Sequence, residues 1–108
     1  IFGTGEQTRS FLWIGDAVAA LLKIIDFDGN LPLAVNIGNP EPVTINFLAE
    51  KFQAFSSRFV GVEYLPGLPY EPKHRCPDIS LASSLLDWRP TLSLDEIIQF
   101  VIEEEVLE

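Results

Sequence analysis

The chain has no methionine, one cysteine (Cys76), one histidine (His74), and only seven Lys and Arg against sixteen Asp and Glu. Each shortage excludes something. A single cysteine rules out an intrachain disulfide and any site built from several thiolates, and it fits a reducing, cytoplasmic setting. A nucleophile–histidine arrangement would depend on His74. Cys76 is two residues away, but such neighbours on an extended loop do not face each other. Metal binding by His74 with Asp78 lacks enough convergent ligands. The formal net charge of −9 argues against nucleic acid and against an anionic membrane surface, because phosphate binding needs clustered Lys and Arg. The longest apolar stretch, around residues 17–25, is too short to span a bilayer. The opening Ile-Phe-Gly is not a signal peptide. The missing methionine leads to the expectation that these 108 residues are part of a longer polypeptide.

What is present is periodic. Nearly half of the residues are apolar, and a chain of this length buries roughly two-thirds of its unfolded surface in one modest core. Residues 10–14 alternate as a strand, and Asp16 is placed to cap a following helix whose apolar stripe is Val18, Leu21, Leu22 and Ile25. Residues 26–30 form a turn. A short strand is predicted at 34–37, closed by Gly38-Asn39-Pro40-Glu41-Pro42. Thr44 is the expected N-cap of a second helix with the stripe Ile45, Leu48, Ala49, Phe52 and Phe55. Residues 61–65 alternate like a strand, and Pro66, Pro69, Pro72 and Pro77 make the next stretch an irregular loop. Ser80 is read as the cap of a short helix carrying Leu81, Leu85 and Leu86, broken by Asp87-Trp88-Arg89-Pro90. Ser93-Leu94-Asp95-Glu96 is a capping box opening a last helix with Leu94, Ile97, Ile98 and Val101 inward. Glutamates 103–105 and Glu108 read as a solvated acidic end. This order of elements describes one small mixed α/β layer over residues 1–108.

The candidate chemistry sits in two places. Gly3-Thr4-Gly5-Glu6-Gln7-Thr8-Arg9-Ser10-Phe11 combines glycines that allow close backbone approach with an arginine, whose planar fork of donors can grip two phosphate oxygens. Arg75 lies in the proline-rich loop, in Lys73-His74-Arg75-Cys76-Pro77-Asp78. Arg58, behind the second helix, and Arg89, in a turn, are ordinary surface positions. Gly3-Thr4-Gly5 is neither a GxGxxG fingerprint nor a P-loop with its lysine. The residues by themselves therefore indicate a candidate anion site and no catalytic machinery.

Four blocks then carry a resemblance. Gly3 to Phe11 with Trp13-Ile14 and Asp16, the turn Asn36-Ile37-Gly38-Asn39-Pro40, the block Pro72, Arg75, Pro77-Asp78-Ile79, and Leu86-Asp87-Trp88-Arg89-Pro90 before Ser93-Leu94-Asp95-Glu96 appear in one order and spacing. Together they cover almost the whole chain. They resemble extended short-chain dehydrogenases/reductases that act on nucleotide sugars. The GNP turn and the Arg75-Cys76-Pro77-Asp78-Ile79 block look most like UDP-glucuronate decarboxylases; dTDP-glucose 4,6-dehydratases and UDP-sugar 4-epimerases are similar. The resemblance implies the C-terminal, substrate-binding part of a Rossmann-fold, NAD-dependent, homodimeric enzyme, with the Rossmann core largely outside this chain. It also implies a UDP- or dTDP-sugar substrate whose diphosphate is held by Arg9 and Arg75. Gln7 and Asn36 would line the nucleotide pocket, Asp78 would orient Arg75 or cap the helix after it, and Trp88 would be core. In such enzymes hydride passes from sugar C4 to NAD with the help of a Tyr-x-x-x-Lys pair. Here Leu68 and His74 stand four residues after Tyr64 and Tyr70, so no catalytic residue and no bound NAD are expected in these 108 residues. Cys76, where the decarboxylases carry a basic residue, and the longer 65–71 loop depart from that pattern. The competing expectation is a non-catalytic module that binds nucleotide sugars or a protein.

Overall fold

A computed structural model describes residues 1–107 of the chain, with side chains to Glu104. Its elements are β1 (Thr8–Arg9), α1 (Ile14–Ile25), β2 (Val43–Thr44), α2 (Ile45–Phe55), α3 (Ser80–Leu86) and α4 (Leu94–Leu107). The small mixed α/β layer expected from the sequence is present, with fewer and shorter strands. β1 and β2 pair antiparallel, Thr8 opposite Thr44 and Arg9 opposite Val43. Two single parallel bridges, Phe2 with Leu65 and Thr8 with His74, extend the pairing. The strands predicted at 10–14 and 34–37 are corrected to unpaired chain, with Ile14 already helical, and of 61–65 only Leu65 is bridged. Alternation marks which side chains share a face, but a strand exists only where a neighbour accepts its backbone hydrogen bonds.

α1 shows most clearly how packing chooses among local signals. It is apolar on two sides, and the side that is covered is not the predicted one. Val18, Leu21, Leu22 and Ile25 are exposed, whereas Asp16 and Ala20 are buried. Ala20 and Ala82 of α3 have no exposed surface, and Trp88 and Leu86 complete the cluster. Small side chains on both helices allow the close approach that larger residues at 18 or 21 would prevent. Asp16 is not the cap of α1 either. Trp13 holds that position, while the Asp16 carboxylate accepts from Thr91 N (2.8 Å), Thr91 Oγ1 (2.6 Å) and Leu92 N (3.3 Å). A residue in the first turn of α1 thereby clamps the loop that leads into α4.

The other helix signals hold with small shifts. Thr44 Oγ1 accepts from Phe47 N at 3.0 Å, the expected N-cap, and the predicted stripe of α2 is half-buried along its length. The capping box closes in both directions, Ser93 N donating to Glu96 Oε1 (3.1 Å) and Glu96 N to Ser93 Oγ (3.3 Å). α2 packs on α4, joined by Lys51 Nζ and Asp95 Oδ1 at 3.1 Å. α3 is capped differently from expectation: Ile79 is its N-cap, and Ser80 is its first helical residue. Leu81 and Leu85 are exposed while Ala82 and Leu86 are buried, and in α4 Ile98 is buried but Val101 is exposed. Glu103 and Glu104 are solvated as expected; the Glu105 side chain and Glu108 lie outside the described residues.

Candidate anion-binding ribbon

The loop before β1 needs its glycines. Gly3 and Gly5 have φ of +80° and +78°, a region that costs an L side chain energy. Gly5 is also buried, and a Cβ there would overlap the Asn46 amide. Asn46, in the first turn of α2, holds the loop from three sides. Its backbone N donates to Gly5 O (3.0 Å), its Nδ2 donates to Thr4 O (3.1 Å) and Glu6 Oε1 (2.8 Å), and its Oδ1 accepts from Tyr64 Oη (2.8 Å). Gly5→Ala is therefore expected to destabilise the chain by about 1–3 kcal/mol, the usual range for a strained backbone position. Calorimetry checks this as a melting temperature lower by several degrees.

This anchored loop delivers Thr8 to the proline-rich segment. Thr8 N donates to Lys73 O at 2.7 Å, and Arg75 N donates to Thr8 O at 3.3 Å. The Thr8 hydroxyl and His74 Nδ1 are 3.0 Å apart. Arg9 and Arg75 are the residues that follow this bridged pair, Thr8 with His74, on its two segments. Two arginines that are 66 positions apart in the sequence thus each follow one member of a bridged pair. Arg9 is held firmly: Nη1 donates to Thr8 O (2.6 Å), and Nη2 donates to Pro72 O (2.7 Å) and Glu71 Oε1 (3.3 Å). These bonds use three of the five donors of a guanidinium. Arg75 is exposed.

Gln7, the residue before Thr8, donates from Nε2 to Phe2 O at 2.9 Å. It lines an open cleft of about 370 Å³ together with Phe2, Gly3, Glu71, Lys73 and His74. Arg9 and Arg75 are one residue beyond the Thr8–His74 pair, outside the set of side chains that line the cleft. Asn36 is not brought to this ribbon. It is exposed on the segment whose Val35 and Ile37 pack against the Ala20–Trp88 cluster. Its neighbour Asn39 reaches the site's elements instead, donating from Nδ2 to Phe11 O at 3.1 Å. The GNP turn and the Arg75 block also meet: Cys76 Sγ lies 3.3 Å from Pro40 O, and Pro77 packs so closely on Gly38 that a Cβ there would fall 2.7 Å from Pro77 Cγ. With His74 bonded to Thr8 and Cys76 turned to Pro40, a Cys–His nucleophile is not formed. Among the described residues no group of three or more His, Cys, Asp or Glu could hold a metal ion. No helix among them is long and apolar enough to cross a membrane.

Asp78 caps α3 from outside, Oδ1 accepting from Ser80 N at 2.9 Å. Hydrogen bonds from the Ser80 backbone N–H and hydroxyl hold its carboxyl below the usual value. A carboxyl whose folded pKa is lowered stabilises the fold above the unfolded pKa and stops doing so as pH falls through the folded one. The advantage of the wild-type chain over Asp78→Ala is therefore expected to be full at pH 7 and to shrink below about pH 4. Denaturant midpoints across that range check it; a difference that does not vary with pH would contradict the cap.

Sequence reasoning did not find Glu71, Asn46 or Asn39. Each is defined by a partner far along the chain; Glu71 and Asn46 sit in no pattern that announces them, and Asn39 stands in the GNP turn, which does not show that it reaches Phe11. Glu71 meets Arg9 across 62 positions, and Asn46 meets Thr4 across 42.

The fold and the four sequence blocks define a class. Over nearly its whole length the chain is similar to one segment of extended short-chain dehydrogenases/reductases, the class of the UDP-sugar decarboxylases and epimerases. It is 33% identical over 103 residues to UDP-glucuronic acid decarboxylase 1 of Danio rerio, which covers 95% of the chain and 24% of that relative. Among solved structures it is similar to UDP-glucuronic acid 4-epimerase from Bacillus cereus in complex with UDP-glucuronic acid and NAD (TM-score 0.86, 30% identity, 98% of this chain and 35% of the other). It is similar also to UDP-glucose 4-epimerase from Thermotoga maritima with UDP-glucose (TM-score 0.89, 27% identity, 100% and 35%). No family model matches the chain. The chain thus spans about a quarter of the decarboxylase and about a third of the epimerases.

Proposed function

We propose that this chain is the substrate-gripping portion of an NAD-dependent nucleotide-sugar enzyme of the UDP-glucuronate decarboxylase kind, and that Arg9 and Arg75 hold the substrate's diphosphate. The observation that supports the reading is the bridge at Thr8, which brings together the two segments that carry the arginines although the chain as a whole is strongly acidic. Two guanidinium forks match the oxygens of a diphosphate in geometry and oppose its charge. Glu71 and the Pro72 carbonyl fix Arg9 on the ribbon, so that less freedom is lost when a phosphate is bound. Gln7 extends the site into the adjoining cleft, and Asn36 serves the nucleotide only from a separate segment.

The chemistry belongs to the rest of the enzyme. Hydride transfer to NAD needs the cofactor and the tyrosine that lie outside these 108 residues, so the chain alone binds substrate without turning it over and holds no NAD. The complete enzyme works in the cytoplasm as a homodimer. Calorimetric titration of the chain with UDP and with uridine tests the site. UDP is expected to bind at least about tenfold more tightly, as charge-assisted bonds to phosphate contribute well over 1 kcal/mol. Equal affinities would show that the phosphates are not what the site holds.

A further inference from the structure

A carboxylate stands against Arg9 that the position of Arg9 does not require. The guanidinium is already held by two backbone carbonyls, Nη1 donating to Thr8 O at 2.6 Å and Nη2 to Pro72 O at 2.7 Å. Glu71 Oε1 adds a longer contact to Nη2 at 3.3 Å, between side chains that are 22% and 27% exposed. An ion pair this open to solvent adds little stability, and a neutral amide at position 71 would accept the same hydrogen bond. What only a carboxylate supplies is charge, set against an arginine of an anion site.

That charge falls where a bound phosphate feels it. Glu71 lines the cleft beside the ribbon, together with Glu6, Lys73 and His74. A phosphate on the remaining donors of Arg9 lies within the ~8 Å over which charges act before salt screens them under physiological conditions. The charges of the cleft and the ribbon are Arg9, Lys73 and Arg75 against Glu6 and Glu71, one positive charge in excess. His74 is engaged with the Thr8 hydroxyl at 3.0 Å. A diphosphate esterified at both ends, as in a nucleotide sugar, carries one negative charge on each phosphate. A free nucleoside diphosphate carries a further one near pH 7, because a terminal phosphate loses its second proton at about pH 6. It offers the arginines the same oxygens, so attraction alone would favour it.

We propose that Glu71 is a specificity-determining residue, whose charge selects a nucleotide sugar over the free nucleoside diphosphate. This rests on the reading of Arg9 and Arg75 as the diphosphate grip. Discrimination between ligands that share their attractive contacts comes from a repulsive one. The Glu71 carboxylate repels every charge on either ligand, and the ligand with the additional charge loses more. Glu71 thus weakens the binding of both and widens the difference between them.

The test is Glu71→Gln, which keeps an acceptor for Arg9 Nη2 and removes the charge. NMR titration measures the affinities of UDP and UDP-glucose for the wild-type chain, Glu71→Gln, Arg9→Ala and Glu103→Gln. Glucose is uncharged, and its own contacts cancel when each variant is compared with wild type. Glu71→Gln is expected to tighten both ligands in low salt, UDP by at least about threefold more than UDP-glucose. In about 1 M salt that difference is expected to vanish. Glu103→Gln removes the same charge from an exposed position on α4 and is expected to leave the ratio of affinities unchanged. An equal change for the two ligands on Glu71→Gln would overturn the proposal. So would a loss of affinity for both, as on Arg9→Ala, which would reduce Glu71 to a support for Arg9. Either result leaves the arginine grip standing. Binding of both ligands that Arg9→Ala does not weaken would instead remove the grip, and this proposal with it.

Discussion

Trp88→Ala is expected to cost about 3–5 kcal/mol, the range for emptying a large buried aromatic site. That is enough to abolish cooperative folding of this chain at room temperature. Trp88 is 2% exposed and lies in the cluster of Ala20, Ala82 and Leu86 between α1 and α3. Ala20 and Ala82 are too small to fill the space, and Leu12, Phe27 and Ile37, which pack against the cluster, would lose contact with the indole. Its indole Nε1 also donates to Asp16 O at 2.9 Å, and losing that bond frees a buried carbonyl at the residue that clamps the loop before α4. Only Ala20, Ala82, Leu86, Trp88 and Ile98 form the buried apolar set among the described residues, and typical domains have no more than about 5–15 kcal/mol of stability in total. Near-UV circular dichroism and urea unfolding read the outcome. A variant that still melts cooperatively within a few degrees of wild type would mean that the core lies elsewhere.

Loss of either arginine is expected to weaken UDP binding by about tenfold to a hundredfold, since a hydrogen bond to a charged group contributes about 1.5–3 kcal/mol. Arg→Lys at either position keeps the charge but loses the planar fork, and so recovers only part of the affinity. In the complete enzyme the effect should fall on KM with kcat nearly unchanged, because the diphosphate is gripped equally in the ground state and in the transition state of a reaction at the sugar. A comparable loss in kcat would place one of the arginines closer to the chemistry than the ribbon suggests.

Local signals were readable wherever a residue's partner is itself local. The Thr44 cap, the Ser93–Glu96 box and the inward stripe of α2 follow from spacings of three or four residues, and the structure reproduces them. The Arg9 and Arg75 neighbourhoods stood out by composition. What was not legible is anything decided at long range. The stripe Val18, Leu21, Leu22, Ile25 is a sound helical face, yet Asp16 and Ala20 on the other side win because Thr91 and Ala82 meet them. Residues 34–37 alternate as a strand should, but pairing needs a neighbour that these residues do not supply. The bridge that brings the segments of Arg9 and Arg75 together depends on Thr8 finding Lys73 and Arg75 across more than sixty positions, which spacing alone does not reveal.

The central claim is that Arg9 and Arg75 act together on one diphosphate. A double-mutant cycle on UDP affinity tests it, using wild type, Arg9→Ala, Arg75→Ala and the double variant. Two forks on one ligand predict that each single change weakens binding and that the double variant loses clearly less than the two single losses combined, because either one already breaks the grip. Binding of UDP that is unaffected by both single changes would contradict the account.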